Sequence, residues 1–265
     1  MSWIHIVVLA VVQGLTEILP VSSSGHLVLV PSIMDWQDQG LVFDVAVHFG
    51  TLVAVCLYFR DDVLRLVQGG LRLLGGNTNS SESRLALCIG LGTIPAAVAG
   101  LLFAGWIAAN LRDPMVVVAT LSGYGILLAL ADWFGKRRRD MADIGIGDAL
   151  VIGAAQALAL VPGTSRSGIT ITAGMALGLK RQEAARFSFL LSVPVILLAT
   201  LYEAALIFIE GATVTVGTLA LGALISALVA YLTIGFFMRF VNAIGLVPFA
   251  VYRIVLAAVI LFVVV

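Results

Sequence analysis

Charged residues are scarce in this chain. Aspartate, glutamate, lysine and arginine make up 11% of its 265 residues, whereas 61% are hydrophobic, and the mean hydropathy is +1.10. A soluble domain cannot bury so large an apolar fraction, so the sequence predicts a protein whose solvent is mostly lipid. The 15 basic and 15 acidic residues leave no net charge, and composition therefore gives no indication of nucleic-acid binding.

Cysteine is also rare. The two cysteines, Cys56 and Cys88, lie in apolar runs without a paired spacing, which excludes a disulfide framework and a cysteine metal site. The opening residues, MSWIHIVVLA, contain neither a basic region nor a small-residue cleavage site. The first hydrophobic run is therefore predicted to belong to the mature structure and not to a signal peptide.

Long apolar runs fill most of the sequence. A membrane-spanning helix requires about 20 predominantly apolar residues. Turn residues divide the chain into eight apolar segments: 2–33, 41–59, 85–107, 115–134, 148–179, 187–209, 217–238 and 247–265. The first and fifth are interrupted by PVSSSGH at 20–26 and by PGTSRSG at 162–168. Both are predicted to be re-entrant hairpins, because polar backbone at membrane depth requires protein or water around it.

The basic residues predict how the segments are oriented. Most lysines and arginines lie after segment two, on either side of segment five and after segment seven, whereas Asp35 and Asp38 lie in an opposite loop. Basic loops are cytoplasmic by the positive-inside rule. The prediction is an all-α polytopic membrane protein with six transmembrane helices, two re-entrant helical hairpins and both termini outside.

The two halves of the chain echo each other. Residues 1–134 and 148–265 would run in opposite orientations within one membrane domain, each with one hairpin and three spans. Gln13 precedes Pro20 by seven residues and Gln156 precedes Pro162 by six, and each proline opens a hydroxyl- and glycine-rich turn. The pattern predicts an inverted repeat, whose paired broken helices mark a site near the bilayer midplane.

The first turn region carries groups that could do chemistry. Gln13 and Glu17 are four residues apart on one helix face. The turn adds three serines and a histidine: Ser22, Ser23, Ser24 and His26. An ionisable residue inside the bilayer is costly and usually serves a function. Structural alternatives stay open, with Glu17 as an interhelical hydrogen-bonding group, the serines as packing residues and His26 as a buried core histidine.

The second turn carries Arg166 between two serines. Its guanidinium stays charged and presents a fork of donors that suits phosphate. Gly163 and Gly168 permit tight turns whose N–H groups can bind an anion, and a helix that starts there adds its positive end. The alternative is a structural ion pair between Arg166 and Glu17, and the two roles are compatible.

Facing each other, the two turns could perform phosphoryl transfer, which needs charge stabilisation, a positioned nucleophile and usually a divalent metal. Glu17 could hold Mg²⁺ or Ca²⁺, with Gln13 adding an amide oxygen. Asp44 and His48, one turn apart in segment two, either line the same cavity or form a hydrogen-bonded pair near the outer interface. Four other polar residues near segment ends are explained by snorkelling: Asp132, Glu203, Asn242 and Arg253.

The stretches QGLTEILPVSSSGH (13–26) and PGTSRSGIT (162–170) together resemble the motifs of the undecaprenyl-pyrophosphate phosphatases, also called bacitracin-resistance proteins. The resemblance covers essentially the whole chain. It implies hydrolysis of undecaprenyl pyrophosphate to undecaprenyl phosphate and phosphate, which recycles the lipid carrier for peptidoglycan synthesis. It also implies a bacterial plasma-membrane location, a site open to the outer face and a divalent cation.

The resemblance also assigns residues. Gln13 and Glu17 take the two positions of the family's acidic motif, and its functional serine, histidine and arginine correspond to Ser23, His26 and Arg166. The first acidic position is glutamine here, so this chain brings one carboxylate fewer to a metal. The other turn residues are expected to bind substrate: Ser22, Ser24, Gly25, Gly163, Thr164, Ser165, Ser167, Gly168 and Thr170.

The working hypothesis gives each group a role. Arg166, neighbouring N–H groups and the metal clamp the pyrophosphate, while Glu17 binds the metal or acts as base. Ser23 or His26 attacks the terminal phosphorus, or positions the water that does, and the sequence does not choose among these. The rival is a transporter or flippase for a polyprenyl phosphate or other anion, and a structural scaffold is third. The oligomeric state stays open, a homodimer included.

Overall fold

The computed structural model describes residues 2–34, 36, 40–111, 113–210 and 216–263. Within these ranges the chain is mostly helical, as predicted for an all-α polytopic membrane protein. The helices are α1 Trp3–Thr16, α2 Ser23–Ile33, α3 Leu41–Tyr58, α4 Arg60–Leu74, α5 Ser81–Asn110, α6 Pro114–Phe134, α7 Ile146–Ala157, α8 Arg166–Ala176, α9 Arg181–Glu210, α10 Val216–Ile244 and α11 Val247–Val263. A short 3₁₀ turn, Leu158–Leu160, extends α7.

Five helices in the described ranges are long and apolar enough to cross a membrane: α3, α5, α6, α9 and α10. The helices α1, α7 and α11 are apolar but shorter, and α11 has 17 residues in the described range. The six spans and two re-entrant hairpins therefore stay predictions. So do the sides of the termini, and residues 1, 264 and 265, together with Asp35 and Asp38, lie outside the described ranges.

The helix α4 occupies a stretch that the sequence analysis treated as a loop. Its leucines recur at helical spacing, and Leu64, Leu71 and Leu74 are exposed, so the helix has an apolar face as well as charges. Asp62 is buried and accepts a hydrogen bond from Arg186 Nε at 2.7 Å, which ties α4 to α9. The segment was missed because its charged residues interrupt any continuous apolar run.

Glycines set how closely the long helices approach. A Cβ at Gly50 of α3 would overlap the carbonyl oxygen of Ala223 in α10, and a Cβ at Gly153 of α7 would overlap that of Gly92 in α5. Small residues at such crossings let helices pack in lipid, where no hydrophobic force drives them together. The helix α1 likewise packs on α10, and α6 packs on α11. The first arms of both broken segments, α1 and α7, are thus packed against long apolar helices, α10 and α5.

One of the snorkelling predictions fails at the end of α6. Asp132 is 2% exposed and accepts hydrogen bonds from Arg181 Nε and, at 2.8 Å, from the backbone N–H of Leu246. It therefore joins α6 to α9 and to the α10–α11 turn, because a buried carboxylate needs a charge partner and donors. Asn242, by contrast, is exposed, and its amide donates a hydrogen bond to Gln182 Oε1 at 3.0 Å, so its snorkelling stays a prediction.

Candidate functional site

The two polar turns share one backbone form. Ser22 caps α2 with φ 76° and ψ 98°, and Ser165 caps α8 with φ 69° and ψ 113°. Each serine hydroxyl accepts a hydrogen bond from the N–H of the glycine three residues later, Gly25 at 3.4 Å and Gly168 at 3.1 Å. A left-handed φ costs a serine about 1–3 kcal/mol, and this cap offsets part of that cost.

The turns are bonded to each other. Ser24 Oγ of the first accepts a hydrogen bond from the N–H of Gly163 in the second, at 3.3 Å. Ser167 Oγ of the second donates to the carbonyl of Leu19 in the first, at 3.1 Å. The two hydrogen bonds place the two turns against each other in the described structure, as expected from the sequence.

Arg253 of α11 is hydrogen-bonded to the backbone of both turns. Its side chain is completely buried, and its guanidinium donates to the carbonyls of Pro20 at 3.4 Å, Gly163 at 3.0 Å and Thr164 at 2.8 Å. It also donates to two carbonyls of α6. The snorkelling prediction for Arg253 is wrong, because breaking a helix frees carbonyls that need donors within the protein. Its position near the middle of α11 was the available signal.

Glu17 is the centre of the site. Its Oε1 accepts a hydrogen bond from Arg166 Nη2 at 2.9 Å, so an ion pair joins the two turns. Its Oε2 accepts from Ser23 Oγ at 2.9 Å and from Gln13 Nε2 at 3.3 Å, and His48 Nε2 lies 3.7 Å away. The structural alternative of a Glu17–Arg166 pair is therefore present, beside a hydroxyl and an imidazole.

A cavity of about 420 Å³ lies beside this ion pair. Glu17, Ser23 and Arg166 form part of its wall, together with Ser22, Ser24, Ser165 and Ser167. Asp44 and His48 line it as well, and His48 Nδ1 lies 2.7 Å from the backbone carbonyl oxygen of Asp44, so the pair both lines the cavity and is hydrogen-bonded. Glu203 also belongs to the wall, and its snorkelling stays a prediction. The rest of the lining is largely apolar, and α9 contributes part of it.

His26 stands apart from this cavity wall as the described residues define it. Its Nδ1 donates to the carbonyl of Ser22 at 2.7 Å, and its Nε2 lies 2.7 Å from the hydroxyl of Tyr252, whose ring stacks on the imidazole. Because a carbonyl only accepts, a neutral ring must accept from Tyr252. His26 thus braces the first turn against α11. Tyr252 was missed, since nothing in an apolar run singles out one tyrosine.

The remaining predicted substrate-binding residues build the turns more than they line the cavity. The N–H groups of Gly25 and Gly168 bond to the capping serines. Gly163 has φ +84°, and a Cβ there would overlap Thr120 Oγ1, so only glycine fits. Thr170 Oγ1 bonds to Ser188 Oγ at 2.6 Å. Thr164 is fully buried.

The site has oxygen atoms that suit a divalent cation as ligands. Gln13 Oε1 is buried without a hydrogen-bond partner in the described part of the chain, while Nε2 of the same amide bonds to Glu17. An unpartnered amide oxygen beside a carboxylate fits Mg²⁺ or Ca²⁺, which prefer oxygen ligands. No group of three or more His, Cys, Asp or Glu side chains among the described residues could hold a metal. Further ligands would therefore come from phosphate oxygens and water.

Comparisons with known proteins identify relatives of this chain over most of its length. Residues 6–259 match the family model described as bacitracin resistance protein BacA. Similar curated proteins include the undecaprenyl-diphosphatases of Nitrosococcus oceani (52% identical) and Hahella chejuensis (51% identical), with 97% of each chain aligned in both cases. The undecaprenyl-diphosphatase of Alcanivorax borkumensis is 49% identical over 99% of each chain.

Proposed function

The chain belongs to the bacitracin resistance protein BacA family, and from that premise we propose that it hydrolyses undecaprenyl diphosphate to undecaprenyl phosphate and inorganic phosphate. The observation that carries the proposal is the Glu17–Arg166 contact at the cavity wall, where a carboxylate bonded to a hydroxyl meets a phosphate-binding guanidinium. The reaction would return the lipid carrier to peptidoglycan synthesis at the bacterial inner membrane and confer bacitracin resistance.

Arg166 and the helix starts around it would bind the diphosphate. The first-turn N–H groups of α2 and α8 have no acceptor within their helices and carry the positive ends of the helix dipoles. Such helix starts bind phosphate readily. Arg166 Nη1 donates to the carbonyl of Ser188 at 3.3 Å, which fixes the guanidinium at the cavity wall. Arg166 would then exchange part of its bonding to Glu17 for phosphate oxygens.

The hydrogen bond between Ser23 and Glu17 supports a serine nucleophile. In this step Ser23 Oγ attacks the terminal phosphorus, the phosphoanhydride bond breaks, undecaprenyl phosphate leaves and Glu17 takes the hydroxyl proton. Glu17 passes this proton to the leaving undecaprenyl phosphate and so becomes a base again. Water, activated by Glu17, then hydrolyses the phosphoserine, releases phosphate and restores the Ser23 hydroxyl. His26 is the weaker candidate for the nucleophile, because both of its ring nitrogens are hydrogen-bonded and it lies outside the described cavity wall.

Glu17 and Gln13 would hold a divalent cation, Mg²⁺ or Ca²⁺, through the carboxylate and the free amide oxygen. When bound, the cation neutralises charge on the diphosphate and on the leaving phosphate. Gln13 orients the carboxylate through its Nε2 whether or not the cation is present.

We extend the proposal to the topology. Six spans and two re-entrant hairpins are supported by the equivalent placement of the broken segments, α1 against α10 and α7 against α5. The same packing supports an inverted repeat of residues 1–134 and 148–265. External termini are supported by the basic loops, which the positive-inside rule assigns to the cytoplasm. The long prenyl tail would lie in lipid, next to the apolar part of the lining that α9 contributes.

The direct test is phosphate release from a polyprenyl diphosphate by purified protein in detergent. We expect release by wild type with Mg²⁺ or Ca²⁺, and its loss in chelator, in Glu17→Ala and in Arg166→Ala. Absence of release by folded wild type with metal present would overturn the enzyme proposal. Flux of a polyprenyl phosphate in vesicles without phosphate release would then favour the transporter.

A further inference from the structure

Gln156 is a buried amide without a hydrogen-bond partner in the part of the chain that the structure describes. It lies in the last turn of α7, is 2% exposed and belongs to the wall of the same cavity as Glu17 and Arg166. Neither its Nε2 nor its Oε1 meets a partner among the described residues. Because an unpaired buried amide costs stability that an apolar side chain of the same size would not, packing alone does not account for a glutamine here.

The comparison with Gln13 shows why Gln156 is unpaired. Each glutamine precedes the proline of its own broken segment, and each is almost completely buried. Gln13 finds Glu17 four residues later on the same helix face and donates to it at 3.3 Å. The residue four positions after Gln156 is Leu160, which offers no acceptor. The amide of α7 therefore keeps both donors and its carbonyl oxygen for something outside the protein.

We propose that Gln156 is a substrate-binding residue, whose Nε2 donates a hydrogen bond to a phosphoryl oxygen of the diphosphate group in the cavity. This inference rests on the proposed phosphatase function. The terminal amide torsion of glutamine is soft, so the group can turn from the wall toward a ligand at little cost. The contact gives the second hairpin two donors to phosphate, a charged one from Arg166 and a neutral one from Gln156.

A neutral donor suits this position. A second cation would compete with Arg166 for Glu17, and an acid would repel the diphosphate and draw the metal away from Gln13 and Glu17. An amide contributes a directed N–H without changing the charge of the site, and its oxygen remains available to orient water. Bonds to a charged phosphate are stronger than bonds between neutral groups, so ligand binding can offset the cost of the unpaired amide.

The test measures affinity and stability separately. A short-chain prenyl methylenediphosphonate, which cannot be hydrolysed, is titrated calorimetrically into wild type, Gln156→Met and Gln156→Glu in detergent with Mg²⁺. We expect affinity to fall about tenfold in Gln156→Met and further in Gln156→Glu, whose charge repels the ligand. The thermal midpoint of Gln156→Met should equal or exceed that of wild type. Gln68→Met, on the exposed face of α4, is the matched control and should change neither quantity.

Each alternative result has a distinct meaning. Unchanged affinity in Gln156→Met overturns the inference even where phosphate release is normal. A fall in thermal midpoint that accompanies the loss of affinity assigns Gln156 a structural role and also overturns it. Tighter binding by Gln156→Glu would indicate a cation ligand in place of a phosphate donor. Binding that depends on Gln156 without any phosphate release by wild type would overturn the proposed function and leave the contact standing.

Discussion

The turns before α2 and α8 have one geometry and two chemistries. In both, a serine with positive φ caps the helix, and a serine two residues later lies within 3.4 Å of it, Ser24 for Ser22 and Ser167 for Ser165. The residue between them differs, Ser23 in the first turn and Arg166 in the second. These two side chains bond to the two oxygens of Glu17. The two turns therefore share one backbone geometry. The one position at which they differ supplies a hydroxyl in the first turn and a guanidinium in the second.

Removing the guanidinium of Arg166 should have the largest effect on activity. We expect Arg166→Ala to lower kcat/KM for a polyprenyl diphosphate by about 10³-fold or more, since a guanidinium at the transferred phosphoryl group is worth that much in other phosphoryl transfers. Arg166→Lys should recover only part of the activity, because lysine is a point charge without the fork. Full turnover by a folded Arg166→Ala protein would show that the two turns are not chemically divided in this way.

Removing the hydroxyl from the equivalent position should come next. Ser23→Ala is expected to reduce kcat about 100-fold or more while KM changes little, as a positioned nucleophile acts in the transition state. The control is Ser24→Ala, whose hydroxyl bonds to Ser22 and Gly163 and not to Glu17. Steady-state phosphate release measures both. Equal losses in the two variants would assign the effect to the shape of the turn.

A variant of Arg253 tests whether the backbone geometry of the two turns depends on the hydrogen bonds that Arg253 donates to both. Arg253→Met should lower the free energy of unfolding by about 3 kcal/mol, because it leaves several buried carbonyls of both turns without their donor. Thermal unfolding in detergent measures the change, with Arg239→Met on the exposed side of α10 as control. If Arg253→Met unfolds at the wild-type temperature, the two turns do not rely on it.

The smallest effects concern the reciprocal hydrogen bonds between the turns. Ser24→Ala and Ser167→Ala should each destabilise the protein by about 1 kcal/mol, the usual worth of one hydrogen bond. Because each serine crosses to the other turn, the two losses should agree within a few tenths of a kcal/mol. Differential scanning calorimetry of both single variants and of the double variant measures these losses of stability. A large loss in one variant alone would show that the crossing is not reciprocal.

The sequence predicts the residues of the two turns better than it predicts the contacts that these residues make. Two hydroxyl- and glycine-rich interruptions in apolar segments are visible without a structure, and Glu17 with Arg166 follows from the cost of charge in a membrane. Tyr252 and Arg253 were not identified as parts of the site, because a residue more than 200 positions from Pro20 meets it only through tertiary packing. The placement of His26 behind the turn depends on the same contacts. The helix α4 was missed because its charged residues interrupt the apolar runs by which the segments were recognised.

The brace supplied by Arg253 has a consequence for the order in which the protein is made. Arg253 follows Pro20 by 233 residues and Gly163 by 90, so both turns leave the ribosome well before the residue that satisfies their carbonyls. Until α11 is inserted, the broken segments would have unpaired backbone groups at membrane depth, which lipid cannot satisfy. The site should thus mature late in biogenesis, and an early bundle without α11 would be a substrate for quality control before it could meet its lipid.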